Sequence, residues 1–172
     1  MEMSEEGMPN PMGEHLVEEL RWIHGILRDS LATIRGIVSR INGGAPAEAI
    51  KAEIDDFAAT SAIWTLRINC LRYCSLVHAH HGGEDTHFFP GLRRVNPELC
   101  PVIDKLEADH RAIAKYLDEV EASAERILED EAARAELAGG LDALADYLLS
   151  HLDYEETNLN PTLRRLTAWP HP

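Results

Sequence analysis

Apolar residues recur every three or four positions along most of this chain, the spacing of helices that bury one face. Over residues 14–42 the stripe falls on Val17, Leu20, His24, Leu27, Leu31, Ile34 and Val38. Gly43 and Gly44 end this first helix, and Pro46 suits the first turn of the next. A second helix is predicted over 46–81, with a break near 58–61, its stripe running through Leu66, Tyr73, Val77 and His80 into Glu84. After Pro90 a short connection, GLRRVNPELCP, leads to a third helix over about 101–128, striped by Ile103, Leu106, His110, Ile113, Leu117 and Val120. The fourth begins near Glu131, passes through Leu141, Leu144, Leu148 and His151, and reaches Glu155 before Asn160-Pro161. No stretch carries a strand signal. The expected fold is all-α, an up-down-up-down four-helix bundle over residues 14–166, between an acidic tail at 1–13 and a C-terminal tail at 167–172 with an exposed-looking WPHP.

The second and fourth helices share more than a period. Residues 80–94, HHGGEDTHFFPGLRR, recur 71 positions later as residues 151–165, HLDYEETNLNPTLRR. In each copy a histidine and a glutamate four residues on, His80 with Glu84 and His151 with Glu155, fall about 40° apart on a helix, so both address one point. Six residues beyond each glutamate stands a proline, Pro90 or Pro161, where the helix is expected to kink or stop. A repeated histidine-carboxylate pair implies a duplicated scaffold, with ligands straddling a pseudo-two-fold axis.

Each helix places one histidine on its apolar stripe: His24, His80, His110 and His151. Burying Glu84 and Glu155 among apolar side chains without cationic partners would cost several kcal/mol, which two divalent cations would offset while occupying the imidazole lone pairs. Four imidazoles and two carboxylates divide as two histidines per metal with both carboxylates bridging. That nitrogen and oxygen set, without thiolate, suits iron best, then manganese or zinc. Open positions on each metal leave room for a bridging oxygen species and an exogenous small molecule.

The other histidines serve as controls. His15 lies about 180° round the first helix from His24, and His81 and His78 lie about 100° and 200° from His80, so none shares the ligand direction. His81 and His78 are read as solvated or packed side chains. His87, one turn after Glu84, and His171 in the tail are left out of the ligand set. Gly82 and Gly83 each cost about 1 kcal/mol relative to alanine in a helix interior. Two readings stand beside each other: a passage for a small ligand beside Glu84, or a local irregularity before Pro90. Tyr73 and Tyr147 point toward the histidine level and are read as core aromatics. No residue is assigned a catalytic role.

Composition narrows the partners. With 30 acidic against 16 basic residues the formal charge is −14, which disfavours nucleic acid and anionic membrane surfaces. No apolar run approaches the ~18 residues of a membrane span, and the N-terminus lacks a signal-peptide core, so a cytoplasmic location is expected. Cys70, Cys74 and Cys100 have no metal-finger spacing, and the first two, one helical turn apart, read as buried thiols.

The segments LRWIHGILR, HHGGEDTHFFP, LEADHRAIA and HLDYEE followed by proline resemble, in order, the motifs of the hemerythrin-like, or HHE cation-binding, family, over residues 14–165. The resemblance implies two iron ions, Fe2+ or Fe3+, in a non-haem centre that binds dioxygen or related molecules. Carried over, the ligand positions are His24, His80, Glu84, His110, His151 and Glu155. Oxygen-carrying members have a second histidine one turn after the helix-three ligand, where this chain has Ala114, and a helix-four carboxylate at the position of Glu156. A site short of one imidazole is expected to favour redox chemistry or sensing with dioxygen, peroxide or nitric oxide over plain oxygen storage. The alternatives are a di-iron enzyme, catalase-like or an oxidase of a small organic substrate, and a metal-responsive regulatory module. A ferritin-like carboxylate site, to which Glu107-x-x-His110 and Glu84-x-x-His87 conform, leaves His24, His80 and His151 unexplained.

Overall fold

The computed structural model describes residues 10–43 and 59–171, and among these all regular structure is helical. Helix α1 spans Pro11–Asn42, α2 Ala59–Gly83, α3 Phe89–Val95, α4 Cys100–Arg126 and α5 Ala132–Leu163; a π turn at Glu84–Phe88 joins α2 to α3, and a 3-10 turn at Pro97–Leu99 leads into α4. The expected start of the second helix at Pro46 lies outside the described residues. Helix α1 packs against α2 and α5, and α4 packs against the same two. No helix among the described residues is long and apolar enough to cross a membrane.

Of the two outcomes expected at each proline, a kink or a stop, neither proline stops the chain's helical course at once. Pro90 lies in the first turn of α3, and the chain stays helical to Val95. The π turn just before it, whose hydrogen bonds span five residues (Phe89 N–H to the Glu84 carbonyl), has already shifted the ladder where the missing proline N–H would fall. Pro161 sits inside α5, which continues to Leu163. Around it Thr157 and Asn158 turn their side chains back onto the carbonyls of Asp153 and Tyr154, 2.7 Å in each case.

The core is split. One apolar cluster runs from Leu27, Leu31 and Val77 through Ile113, Leu117, Leu144 and Leu148. A second gathers Leu16, Val17, Leu20, Phe89, Leu92, Leu106 and Leu159. Between them every long helix carries its polar residues: His24 lies between Leu20 and Leu27 of α1, His110 between Leu106 and Ile113 of α4, and His151 just past Leu148 of α5. The stripe expected from the sequence is therefore the core itself, interrupted at one level by imidazoles.

The ends are tied by close backbone approaches. A Cβ on Gly13 would lie 2.2 Å from the Arg164 carbonyl oxygen, and one on Gly91 would lie 2.5 Å from that of Pro170. In the tail Trp169 and His171 are exposed as expected, but Pro170 is buried and the Trp169 ring lies 5.6 Å from that of Phe88.

Candidate metal centre

All six side chains singled out by the sequence converge on the layer between the two apolar clusters. His24, Glu155, His151, His110 and Glu84 are buried, and His80 nearly so. His24, His80, Glu84 and Glu155 each offer one atom to a common point, all within 4.8 Å of one another. Glu84 spans the layer: its Oε1 is 3.4 Å from His80 Nε2, and its Oε2 is 3.4 Å from His110 Nε2. Glu155 Oε2 stands 3.6 Å from the Nε2 atoms of both His24 and His151. Each carboxylate therefore touches an imidazole on either side, the disposition of a bridging ligand.

The second half of the layer holds a residue that the sequence reading set aside. His81 is buried and groups with His110 and His151, again within 4.8 Å. Its ring stacks on that of His110 at 3.9 Å. The expectation of a solvated or separately packed His81 assumed one focal point per helix. Helix α2 lies between α1 and α4, so residues about 100° apart on it face the two halves of one elongated centre. The doubled His80-His81 was the signal in the sequence.

Outside this layer, carboxylates fix the imidazoles. Nδ1 of His24 lies 2.9 Å from Glu156, Nδ1 of His110 lies 2.8 Å from Asp85, and Nδ1 of His151 lies 3.5 Å from Asp109. An Nδ1–H donated to a carboxylate leaves the Nε2 lone pair for a metal, the usual outer partner of a ligating histidine. Arg28 holds Glu156 and Asp153 at 2.7 Å each. Lys105 pairs with Asp109, which also accepts from the Tyr147 hydroxyl at 3.2 Å. Tyr147 thus reaches the centre only through Asp109, while Tyr73 donates to the Leu27 carbonyl as a core aromatic.

Electrostatics make this layer costly unless it holds cations. Nε2 of His24, His80 and His81 and all four carboxylate oxygens of Glu84 and Glu155 are buried without a hydrogen-bond partner. His110 and His151 turn their Nε2 atoms toward each other at 3.1 Å. With both Nδ1–H groups committed to carboxylates, two lone pairs would oppose each other there unless a positive centre lies between them. Burial pushes Glu155 up to about 8 and Glu84 in the same direction. It pushes His80 and His151 down to about 3 and His110 to about 4, and lowers His24 and His81 as well. Burial would raise Glu156 and Asp109 too, but Arg28 and Lys105, aided by the adjoining imidazoles, hold both below the ordinary carboxylate range. The inner carboxyls thus want a cation, whereas Glu156 and Asp109 already have theirs in Arg28 and Lys105; Asp85, beside His110, is raised by burial. Donor set and charge both fit divalent or trivalent metal.

The model of the hemerythrin HHE cation-binding domain matches residues 15–163. The chain belongs to that family. No curated protein and no solved structure matches it. Hemerythrin HHE domains bind metal ions, commonly iron, and the His/Glu layer is compatible with that property. Within the family pattern, the position one turn past His110 is Ala114, and His81 brings an imidazole to the same group from α2 instead. Of the two adjacent glutamates, Glu155 is wholly buried between imidazoles, while Glu156 serves His24 from outside.

The remaining controls are placed away from the layer. His15 pairs with Glu19 on the surface at 3.2 Å, and His87 is exposed, its Nδ1 2.7 Å from the Thr86 hydroxyl. His78 approaches Asp118 and Glu121 elsewhere on the molecule. Cys70 and Cys74 are buried free thiols, pushed up to about 12 by burial.

Proposed function

We propose that this chain is a non-haem di-iron protein of an up-down-up-down bundle that binds or activates a small oxidant: dioxygen, peroxide or nitric oxide. Glu84 and Glu155 would bridge two ions; His24 and His80 would complete one, and His110, His151 and His81 the other. The observation that carries this reading is the pair of buried carboxylates, Glu84 and Glu155, set among imidazoles and without a hydrogen-bonding partner, while the nearby Arg28 and Lys105 are engaged by outer acids. Iron, when bound, supplies redox electrons and open coordination positions. The chain's own part is to fix the imidazole tautomers through Glu156, Asp85 and Asp109, to bring two negative charges into a dry layer, and to keep water out with the apolar clusters above and below.

The unequal halves, with two imidazoles on one side and three on the other, direct an exogenous ligand to the His24–His80 side. His81 restores the imidazole that Ala114 lacks, so a missing ligand no longer separates redox chemistry or sensing from storage, and the reading stays with binding or activation of the oxidant. Elemental analysis of aerobically purified protein, with its near-ultraviolet spectrum, tests the proposal. Two irons per chain with an oxygen-to-iron charge-transfer band are expected; zinc alone, without such a band, would overturn the redox reading.

A further inference from the structure

Beside the His24–His80 half lies a cavity of about 410 Å³. Its walls are Leu16, Leu20 and Ile23 of α1, Phe88 of the π turn and Trp169 of the tail. His80 and Glu84 are the buried polar groups that line it, and Glu19 and His87, both exposed, stand at its mouth. A diatomic ligand needs room comparable to one water, about 30 Å³, whereas small organic ligands occupy sites of about 300–1,000 Å³. The cavity is in the second class.

From this geometry we infer that the cavity is a binding site for a compact apolar organic molecule bearing one oxygen donor, a phenol-like ligand, whose oxygen reaches the metal held by His24, His80, Glu84 and Glu155. The inference rests on the metal centre proposed above. Among the described residues no lysine or arginine lines the cavity; His87 stands at its mouth, so at the buried end, beside His80 and Glu84, a metal is the group that would receive an anionic oxygen, and Glu19 at the mouth disfavours polyanions. Apolar walls accept a hydrocarbon body and would leave any second polar group unpaired.

Gly83, itself exposed, lines the cavity and leaves it open on that side. It lines the wall beside Glu84 in ordinary right-handed helical geometry, φ −65° and ψ −40°, and a Cβ there would meet nothing within 4 Å. Neither backbone strain nor crowding demands glycine at this position, so its lack of a side chain matters for the space it leaves open. Gly82 is equally free of neighbours but does not line the cavity. The local irregularity expected before Pro90 is present as the π turn that begins at Glu84, and of the two glycines Gly83 alone also lines the cavity.

The test is isothermal titration of metal-loaded protein with 4-ethylphenol and with ethylbenzene, with metal content measured on every sample. The phenol is expected to bind at least tenfold more tightly than the hydrocarbon. Gly83→Leu should weaken the phenol at least tenfold with metal content and Tm maintained, and Ile23→Trp, which fills the opposite wall, should do the same. Gly82→Leu should bind as the parent does. Equal affinity for the two probes, or full phenol binding in both cavity-filling variants, overturns the inference. Two bound metals without phenol binding overturn it alone, whereas a chain that takes up no metal overturns the proposed function with it.

Discussion

Consecutive histidines on α2 face different halves of the centre because one residue turns a helix by about 100°. This makes His81 the sharpest residue-scale test of the proposal, since His80 and His81 share a backbone segment but fall in different ligand groups. After metal loading and dialysis, His81→Ala should keep the ion of the His24–His80 side and lose most of the other. Glu84→Ala should lose most of both, because Glu84 reaches imidazoles of both groups, and His151→Ala should lose most of the bound metal because it also withdraws the imidazole that fixes Glu155 between the halves. His15→Ala, on an exposed ion pair, should keep both ions. Plasma mass spectrometry of the four variants reads this directly, and a His81→Ala protein that holds two ions as tightly as the parent would remove His81 from the ligand set.

At the scale of elements, the four long helices hold the layer because α1 and α5 are locked together at their ends. The Gly13 backbone is pressed against the Arg164 carbonyl, at a spacing no Cβ tolerates, and that carbonyl belongs to backbone that cannot swing aside. Gly13→Ala is therefore expected to destabilise the fold by about 1–3 kcal/mol, the range of an overpacked core. Gly36, in the exposed middle of the same helix with nothing near its Cβ position, offers the contrast. Gly36→Ala should stabilise by about 0.5–1 kcal/mol through helix propensity alone. Urea unfolding of the two variants separates end-locking from intrinsic helicity; changes of the same sign would contradict the close approach. The π turn at Glu84–Phe88 is the other element-level device, since it lets a helix carry Glu84 into the centre and still pass a proline four residues after Thr86.

For the whole molecule, the split core ties stability to metal and to pH. Glu155 is pushed from an ordinary 4.5 up to about 8. Below about pH 4.5 it is protonated in both folded and unfolded chains; as pH rises from there to about 8 the unfolded chain ionises first, and the metal-free fold loses stability. The histidines act in the opposite sense. His80 and His151, lowered to about 3, and His110, lowered to about 4, stay neutral in the fold while unfolded imidazoles gain protons below about 6.5, so stability falls as pH drops from 6.5 toward those values. A cation needs ionised carboxylates and neutral imidazoles, so its affinity climbs with pH. The gain in Tm on metal loading should be larger at pH 8 than at pH 5.5 by scanning calorimetry, and an equal gain would mean that these buried groups are not the ligands.

Periodicity alone determined the helices, the four stripe histidines and the two glutamates, because a spacing of three and four residues and a pair one turn apart are properties of a single helix. The same local logic left open how the chain passes Pro90 and Pro161 and what the packed His81 faces. A proline's effect depends on whether the neighbouring turn can widen, as the π turn does before Pro90, and a histidine's role depends on which helices flank its own. The cavity beside Glu84 and the packing of Trp169 against Phe88 were likewise decided only in three dimensions, since they join residues from α1, the π turn and the C-terminal tail. One-helix geometry reveals which residues share a direction; only the packed molecule decides what lies in that direction.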